Sequence, residues 1–119
     1  MEPPQCRAAA FFDCVVAQQD RHLGNLRWDA ATRRLGLYDH GYAFALPGDY
    51  LNASVFVDWR HGQGQPHLEQ WERDTLDQLL GSGDLLGVGD MLPSDRADAL
   101  EDRARRMRQV DEVLTAGQF

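Results

Sequence analysis

Apolar residues recur at helical spacing in three segments, and this pattern constrains the fold more than any other feature. The segments run from about Arg7 to Ala17, from about His67 to Leu80, and from Ser94 or Asp95 to about Ala116. Apolar residues three and four positions apart lie on one face of a helix, so each segment predicts a helix packed on one side. Because the length suits one domain, we expect residues 1–119 to form a single, mainly helical domain.

Individual side chains in the second and third predicted helices also have expected positions. Trp71 belongs to the apolar stripe of the second helix and Leu114 to the apolar face of the third. Glu72 lies in the first turn of the second helix, where a carboxylate suits the helix dipole. The arginine cluster at 103–108 is expected on the solvated face of the third helix.

Two apolar runs between the first and second predicted helices are too short to be helices. They are Leu26–Trp28 and Leu35–Tyr38, and the connector Asp29–Arg34 between them is polar. Two short apolar runs joined in this way predict a β-hairpin. Residues 42–65 predict irregular structure, with a short helix or strand near Ala53–Trp59. The predicted fold class is therefore α+β, mainly helical.

The charged residues exclude several functions. The formal net charge is -7, and all 12 basic residues are arginines, so the chain has no lysine. Schiff-base chemistry, a lysine general base and a phosphate-gripping lysine are thereby excluded from this chain. Direct nucleic-acid binding is not expected either, because nucleic-acid-binding domains normally carry a basic surface.

The N-terminal region indicates a cytoplasmic protein. Cys6 and Cys14 do not form a Cys-x-x-Cys pair, and two isolated cysteines are typical of buried, reduced thiols in the cytosol. The apolar stretch Ala8–Ala17 is short and is interrupted by Asp13. We therefore predict neither a signal peptide nor a transmembrane segment.

Three oxygen-bearing side chains surround the predicted hairpin. Asn25 directly precedes its first strand and Asp39 follows its second, so antiparallel pairing would bring the two together. Amide and carboxylate oxygens suit Mg²⁺ or Mn²⁺. Asp20, at the start of the loop that contains Asn25, could act as a base or orient a hydroxyl group. Phosphoryl transfer needs this combination of metal and carboxylate.

The same residues carry a family resemblance. Asp20-Arg21-His22-x-x-Asn25, followed by Tyr38-Asp39-His40-Gly41, resembles the catalytic loop and metal motif of the protein-kinase-like superfamily. The nearest forms are those of HipA-like kinases and phosphatidylinositol 3-/4-kinases. Phe12-Asp13-x-x-Val16-x-x-x-Asp20 also resembles the helix before that loop, so the likeness covers about residues 11–45. It implies a partial protein-kinase-like C-terminal lobe, with its motifs at 20–41 and a helical remainder at 66–116.

The resemblance implies a role for each motif residue. Asp20 is expected to be the catalytic acid or base, and Asn25 and Asp39 are expected to bind Mg²⁺ or Mn²⁺ and, through the metal, ATP as co-substrate. His22 has two open roles, because its equivalent is a proposed base in lipid kinases and structural in other members. His40 stands where the common pattern has phenylalanine. The acceptor is expected to be a hydroxyl group on a protein, a lipid or a small molecule.

The sequence also departs from a complete kinase. The motif begins at residue 20 and no lysine follows, so we expect the N-terminal lobe (N-lobe) to be absent and the chain to be inactive alone. An upstream N-lobe or a partner chain would have to supply the missing parts.

Three alternatives remain open. The chain could be a non-catalytic pseudokinase remnant that binds proteins. It could also be an aminoglycoside-phosphotransferase-like or choline-kinase-like enzyme, although those usually read His-Gly-Asp where this chain reads Gln18-Gln19-Asp20. Finally, Asp20, Asn25 and Asp39 could simply cap and terminate local structure, because these residue types favour turns.

Overall fold

The order of helices and strands matches a mainly helical α+β chain. The structure, a computed structural model, describes residues 3–17, 26–37, 54–83, 85–87, 89–115 and 118. Within these residues the elements are α1 (Pro3–Val16), β1 (Leu26–Asp29), β2 (Arg34–Leu37), α2 (Val55–Gly62), α3 (Gln70–Gly81) and α4 (Ser94–Val110). A short 3₁₀ helix, Gly89–Met91, precedes α4.

Helix α1 begins at Pro3, earlier than the predicted start at Arg7. Proline is accepted in a first turn because the backbone N–H groups there have no partner within the helix. The helix ends at Val16, since Ala17 adopts a left-handed backbone conformation with a φ of 52°. Ala10, Phe11 and Val16 are buried in the core, whereas Phe12 is 43 % exposed, so the apolar run packs in the core only in part.

Strands β1 and β2 pair antiparallel at the residues for which the sequence predicts a hairpin. The register pairs Leu26 with Leu37, Arg27 with Gly36, Trp28 with Leu35 and Asp29 with Arg34. The connection between them is a turn at residues 30–33, and Arg33 lies in the left-handed region with a φ of 56°. The chain therefore reverses direction within one short polar segment.

Helix α3 begins at Gln70, three positions after the predicted start at His67. The backbone of His67 instead forms an isolated antiparallel bridge with Glu112, and the Leu68 N–H donates to the Asp111 carbonyl at 3.0 Å. A residue paired in a β-bridge has an extended rather than a helical backbone, and the N-cap Glu69 is extended as well, with φ -81° and ψ 164°. A tertiary contact therefore delays the start of α3.

Helix α4 ends at Val110 rather than at the predicted Ala116. Asp111 adopts a left-handed conformation, with φ 63° and ψ 38°, which ends the run of helical hydrogen bonds. The chain then returns to the core, where Val113 donates its N–H to the Pro66 carbonyl at 2.7 Å. Leu114, predicted on the apolar face of α4, is buried in this returning segment instead.

The core lies between two helix pairs, because α1 packs against α2 and α3 packs against α4, while α1 also contacts α4. Trp71, predicted in the buried stripe of α3, is 47 % exposed and packs edge-on against Phe11 with ring centroids 5.3 Å apart. Arg103, predicted on a solvated arginine face, is buried. The core consists mainly of Ala9, Ala10, Phe11, Cys14, Phe56, Val57, Leu76, Leu100, Ala104, Met107, Val113 and Leu114.

Over the described part of the chain, no helix combines the length and the apolar character that crossing a bilayer requires.

Candidate functional site

The four predicted site residues, Asp20, His22, Asn25 and Asp39, lie outside the described residues. They belong to two segments, 18–25 and 38–53, that connect α1 to β1 and β2 to α2. The structure therefore describes the residues on which these segments begin and end. Their roles in catalysis and metal binding stay predictions.

The strand register bears on the predicted pairing of Asn25 with Asp39. Leu26, which follows Asn25 directly, is paired with Leu37, which lies two residues before Asp39. Paired residues of an antiparallel ladder have Cα atoms about 4.5 to 5.5 Å apart. The two chain segments that carry the predicted metal ligands thus leave the ladder at its same end.

The opposite end of the hairpin is held by local and tertiary hydrogen bonds. The Asp29 carboxylate accepts the N–H of Ala31 at 3.0 Å. Its hydrogen bonds lower the pKa of Asp29, and the largest contribution comes from the Thr32 side chain. The side-chain amide of Gln5 donates to the Arg33 carbonyl at 2.6 Å. The turn of the hairpin is therefore attached near the beginning of α1.

The second half of α1 is held by the C-terminal segment through Cys14. The Cys14 Sγ accepts the Leu114 N–H at 3.3 Å and lies 3.5 Å from the Met107 Sδ. Burial raises the pKa of the Cys14 thiol to about 12, so this thiol is protonated at neutral pH. Cys6 and Cys14 are both buried and free, as the sequence predicts, and Cys14 is suited to packing rather than to nucleophilic chemistry.

A buried hydrogen bond connects α1 to the beginning of α2. The Ser54 hydroxyl donates to the Asp13 Oδ2 at 2.7 Å and accepts the Phe56 N–H at 3.1 Å. Ser54 is the N-cap of α2, and both Asp13 and Ser54 are almost fully buried. The α2 N-terminus is therefore tied to a fixed point on α1.

Comparisons with known protein families, with curated proteins and with solved structures found no match to this chain.

Sequence reasoning missed two pairs of buried polar residues. The first pair is Asp13 with Ser54. The sequence feature that could have indicated it is a carboxylate inside an apolar helical run. The second is Arg60 with Glu72, where Glu72 was predicted only to suit the helix dipole of α3. Glu72 lies at the third position of α3 and forms a capping box with Glu69, a pattern that the spacing of the two glutamates could have indicated.

One cavity of about 360 Å³ lies between the end of α3 and the first half of α4. Its lining includes the carboxylates of Asp90, Asp98 and Glu101. Among the described residues, however, no three histidine, cysteine, aspartate or glutamate side chains are grouped so that they could hold a metal ion. The Glu101 carboxylate is instead paired with Arg105 at 2.7 Å.

Proposed function

We propose that this chain supplies the catalytic-loop and metal-binding part of an ATP-dependent phosphotransferase of the HipA-like or phosphatidylinositol-3/4-kinase-like kind. The observation that carries the proposal is the spacing of Asp20-Arg21-His22-x-x-Asn25 and Asp39-His40-Gly41 on the two sides of a strand pair. The pairing of Leu26 with Leu37 supports it, because a shared metal site requires the flanks of the two strands to begin close together.

The proposed reaction moves the γ-phosphoryl group of ATP to a hydroxyl group. The acceptor oxygen forms a bond to the γ-phosphorus while the bond from that phosphorus to the β,γ-bridging oxygen breaks, and ADP leaves. Asp20 takes the proton of the hydroxyl group, and His22 either assists as a second base or holds the backbone. Asn25 and Asp39 offer oxygen ligands of the kind that Mg²⁺ and Mn²⁺ prefer. The metal, when bound, neutralises phosphate charge.

The absence of lysine defines what a partner must add. Kinases of this superfamily grip the ATP phosphates with a strand lysine, and all 12 basic residues here are arginines. We therefore propose that an N-lobe, on the same polypeptide or on a partner chain, provides this lysine. Transfer by the present 119 residues alone is then expected to be very slow, whereas metal binding needs only the residues they contain.

A non-catalytic binding function is the second candidate. Its support is an acidic surface along α3 and the start of α4, to which a basic protein segment would be complementary. Two of its carboxylates, those of Glu69 and Asp77, are already paired with Arg7 and Arg108. Among the described acidic residues of this stretch, Glu72 is the buried one. The exposed members are Glu69, Asp74, Asp77, Asp90, Asp95 and Asp98. A pseudokinase remnant would use this surface and would bind no metal at Asp39.

Manganese binding separates the two candidates. Mn²⁺ is titrated into the ¹⁵N-labelled full chain with a non-hydrolysable ATP analogue, and the broadening of each backbone amide signal is measured by NMR. The phosphotransferase proposal expects saturable broadening centred on Asn25 and Asp39, and at least a tenfold weaker effect in Asp39→Asn. The matched control is Asp29→Asn, because Asp29 lies at the opposite end of the hairpin and an asparagine there can still accept the Ala31 N–H.

The results of this titration and of a transfer assay can each contradict the phosphotransferase proposal. Broadening that is unchanged in Asp39→Asn, or that centres on the acidic surface in both variants, would overturn the proposed metal site. When the missing lobe is supplied, Asp20→Ala and Asp39→Ala should each abolish the release of ADP followed by ³¹P NMR. Transfer that survives both substitutions would show that the activity resides elsewhere.

A further inference from the structure

The segment that follows α4, residues 111–115, forms a strap across the residues that precede α3. The Leu68 N–H donates to the Asp111 carbonyl at 3.0 Å, and the Val113 N–H donates to the Pro66 carbonyl at 2.7 Å. These two bonds flank the isolated antiparallel bridge between the two segments. The strap is therefore bound through its backbone, in the manner of a short added β-strand.

The strap also contacts α1 and α2. The His61 Nε2–H, on α2, donates to the Val113 carbonyl at 2.6 Å, and the Cys14 Sγ, on α1, accepts the Leu114 N–H at 3.3 Å. Val113 and Leu114 are 0 % and 3 % exposed. Release of the strap would break these contacts together and would remove its cover from the Cys14 thiol.

The conformation of the strap conflicts with the preference of its own sequence. The apolar pattern predicts that α4 runs to about Ala116, with Met107, Val110 and Leu114 on one helical face. Helix α4 instead ends at Val110, because Asp111 adopts φ 63° and ψ 38°, a left-handed conformation that is unfavourable for a residue with a side chain. The contacts of the strap, rather than its local sequence, therefore keep these residues out of the helix.

We propose that residues 111–115 are a conformational switch with a docked and a released state. In the docked state they form the strap, and in the released state the chain continues α4 through Leu114. Asp111 is the hinge, because it is the one residue described in this segment whose φ must change sign to become helical. Docking buries Val113 and Leu114, so the docked state is the major one and local opening gives the released state. The switch is independent of the proposed function, because the contacts that define it lie outside the proposed site residues.

Two substitutions at Asp111 should shift this equilibrium in opposite directions. Glycine adopts the left-handed conformation without steric cost and disfavours the helix, so Asp111→Gly should favour docking. Alanine pays that cost and is the best helix former, so Asp111→Ala should favour release. Both variants lose the ion pair of Asp111 with Arg73, so this loss does not affect the comparison between them. Gln109→Gly is the control, because Gln109 is exposed and lies within α4 in both states.

Two rates report release of the strap in the full chain. Hydrogen exchange of the Leu68 amide reports it because the acceptor of that amide is the Asp111 carbonyl. Alkylation of Cys14 by iodoacetamide, in a Cys6→Ala background, reports the uncovering of the thiol. We expect Asp111→Ala to raise both rates at least fivefold and Asp111→Gly to lower both at least threefold. The control should remain within twofold of the original chain.

Urea dependence separates local release from global unfolding and needs no substitution. Exchange at Leu68 should depend less on urea than exchange at the Met107 amide within α4, because local opening exposes less surface. In Asp111→Ala, the Cα chemical shifts of residues 111–114 should move toward helical values. Equal urea dependence at Leu68 and Met107, or rate changes of the same sign in both Asp111 variants, would overturn the switch. Faster exchange in Asp111→Ala without helical shifts would overturn the proposed helical form of the released state.

Discussion

Arg60 and Glu72 form a bidentate ion pair inside the core. The Arg60 Nη1 donates to the Glu72 Oε2 at 2.8 Å, and the Nη2 donates to the Glu72 Oε1 at 2.7 Å. The remaining N–H groups of Arg60 reach the carbonyls of Arg7, Gln65 and His67. Neither side chain is accessible to water. Through these hydrogen bonds the pair joins α1, α2 and the start of α3 at one point.

Removing the charge of Glu72 should be strongly destabilising. Glu72→Gln keeps the shape and an oxygen that can accept the Glu69 N–H, but it leaves the buried Arg60 cation without its counter-ion. We expect the free energy of unfolding, measured with urea, to fall by about 3 kcal/mol. The control is Glu101→Gln, whose pair with Arg105 is exposed, and it should cost less than about 0.5 kcal/mol. Equal effects of the two substitutions would contradict the buried role of Glu72.

Replacing both partners should recover part of this loss. Arg60→Met combined with Glu72→Leu leaves no buried charge and restores apolar volume, and such exchanges are often neutral or stabilising. The carbonyls of Gln65 and His67 would lose their donor and the Glu69 N–H would lose its acceptor. Because these three residues are exposed, water can replace the lost bonds, at a cost of about 0.5 kcal/mol each. We therefore expect the double variant to be more stable than Glu72→Gln in the same urea measurement. A double variant less stable than Glu72→Gln would show that the carbonyl bonds, rather than the charges, dominate.

The Cys14 thiol should make the protein less stable at alkaline pH. Burial raises the pKa of Cys14 to about 12, whereas the unfolded chain releases this proton near the ordinary pKa of 9.0. Between these values the folded state binds more protons than the unfolded state, so the free energy of unfolding falls as pH rises, by about 1.4 kcal/mol per pH unit. Because the chain has no lysine, few other groups titrate in this range.

The contribution of Cys14 is isolated by Cys14→Ala. This variant should be less stable at pH 8 because packing is lost, but its stability should change less between pH 9 and pH 11 than that of the original chain. Urea unfolding at several pH values measures both slopes, and tyrosine ionisation contributes equally to each. Identical slopes in the two proteins would mean that the thiol is not protected from ionisation in the folded state.

Leu86 is a site where glycine should stabilise the protein. It is exposed and lies in the left-handed region with a φ of 59°, a conformation that costs a side-chain-bearing residue about 1 kcal/mol. We expect Leu86→Gly to raise the midpoint of thermal unfolding. Met91→Gly is the matched control, since Met91 is also exposed but lies in a 3₁₀ helix and outside the positive-φ residues. A lower midpoint for both variants would argue against strain at Leu86.

Three of the four described α-helices were predictable from the sequence, but several of their boundaries were not, and the region of α2 was left open between a short helix and a strand. The apolar period identifies α1, α3 and α4, because a one-sided helix needs apolar residues three and four positions apart. The end of α4 depends on the left-handed Asp111 and on the bond from Val113 to Pro66. That bond joins residues that are distant in the chain, so no local sequence pattern predicts it.

The candidate site was also predictable from the sequence only in part. Local motifs single out Asp20, Asn25 and Asp39, since the spacing of chemically suited side chains can be read directly from the chain. The contacts made by described residues near the ends of these segments could not be read in this manner. The bond between Asp13 and Ser54 spans 41 positions, and it depends on how α1 packs against α2.

The sequence alone determined that the chain is mainly helical, that it contains no lysine, and which side chains are the candidates for phosphoryl transfer. These follow from periodicity, composition and short motifs, all of which are local. Only the tertiary structure decided which polar residues enter the core: Asp13, Arg60, Glu72 and Arg103 are ordinary charged residues in the sequence and buried in the fold. A buried charge is tolerated only when a partner lies at hydrogen-bonding distance, and that partner is supplied by a distant part of the chain.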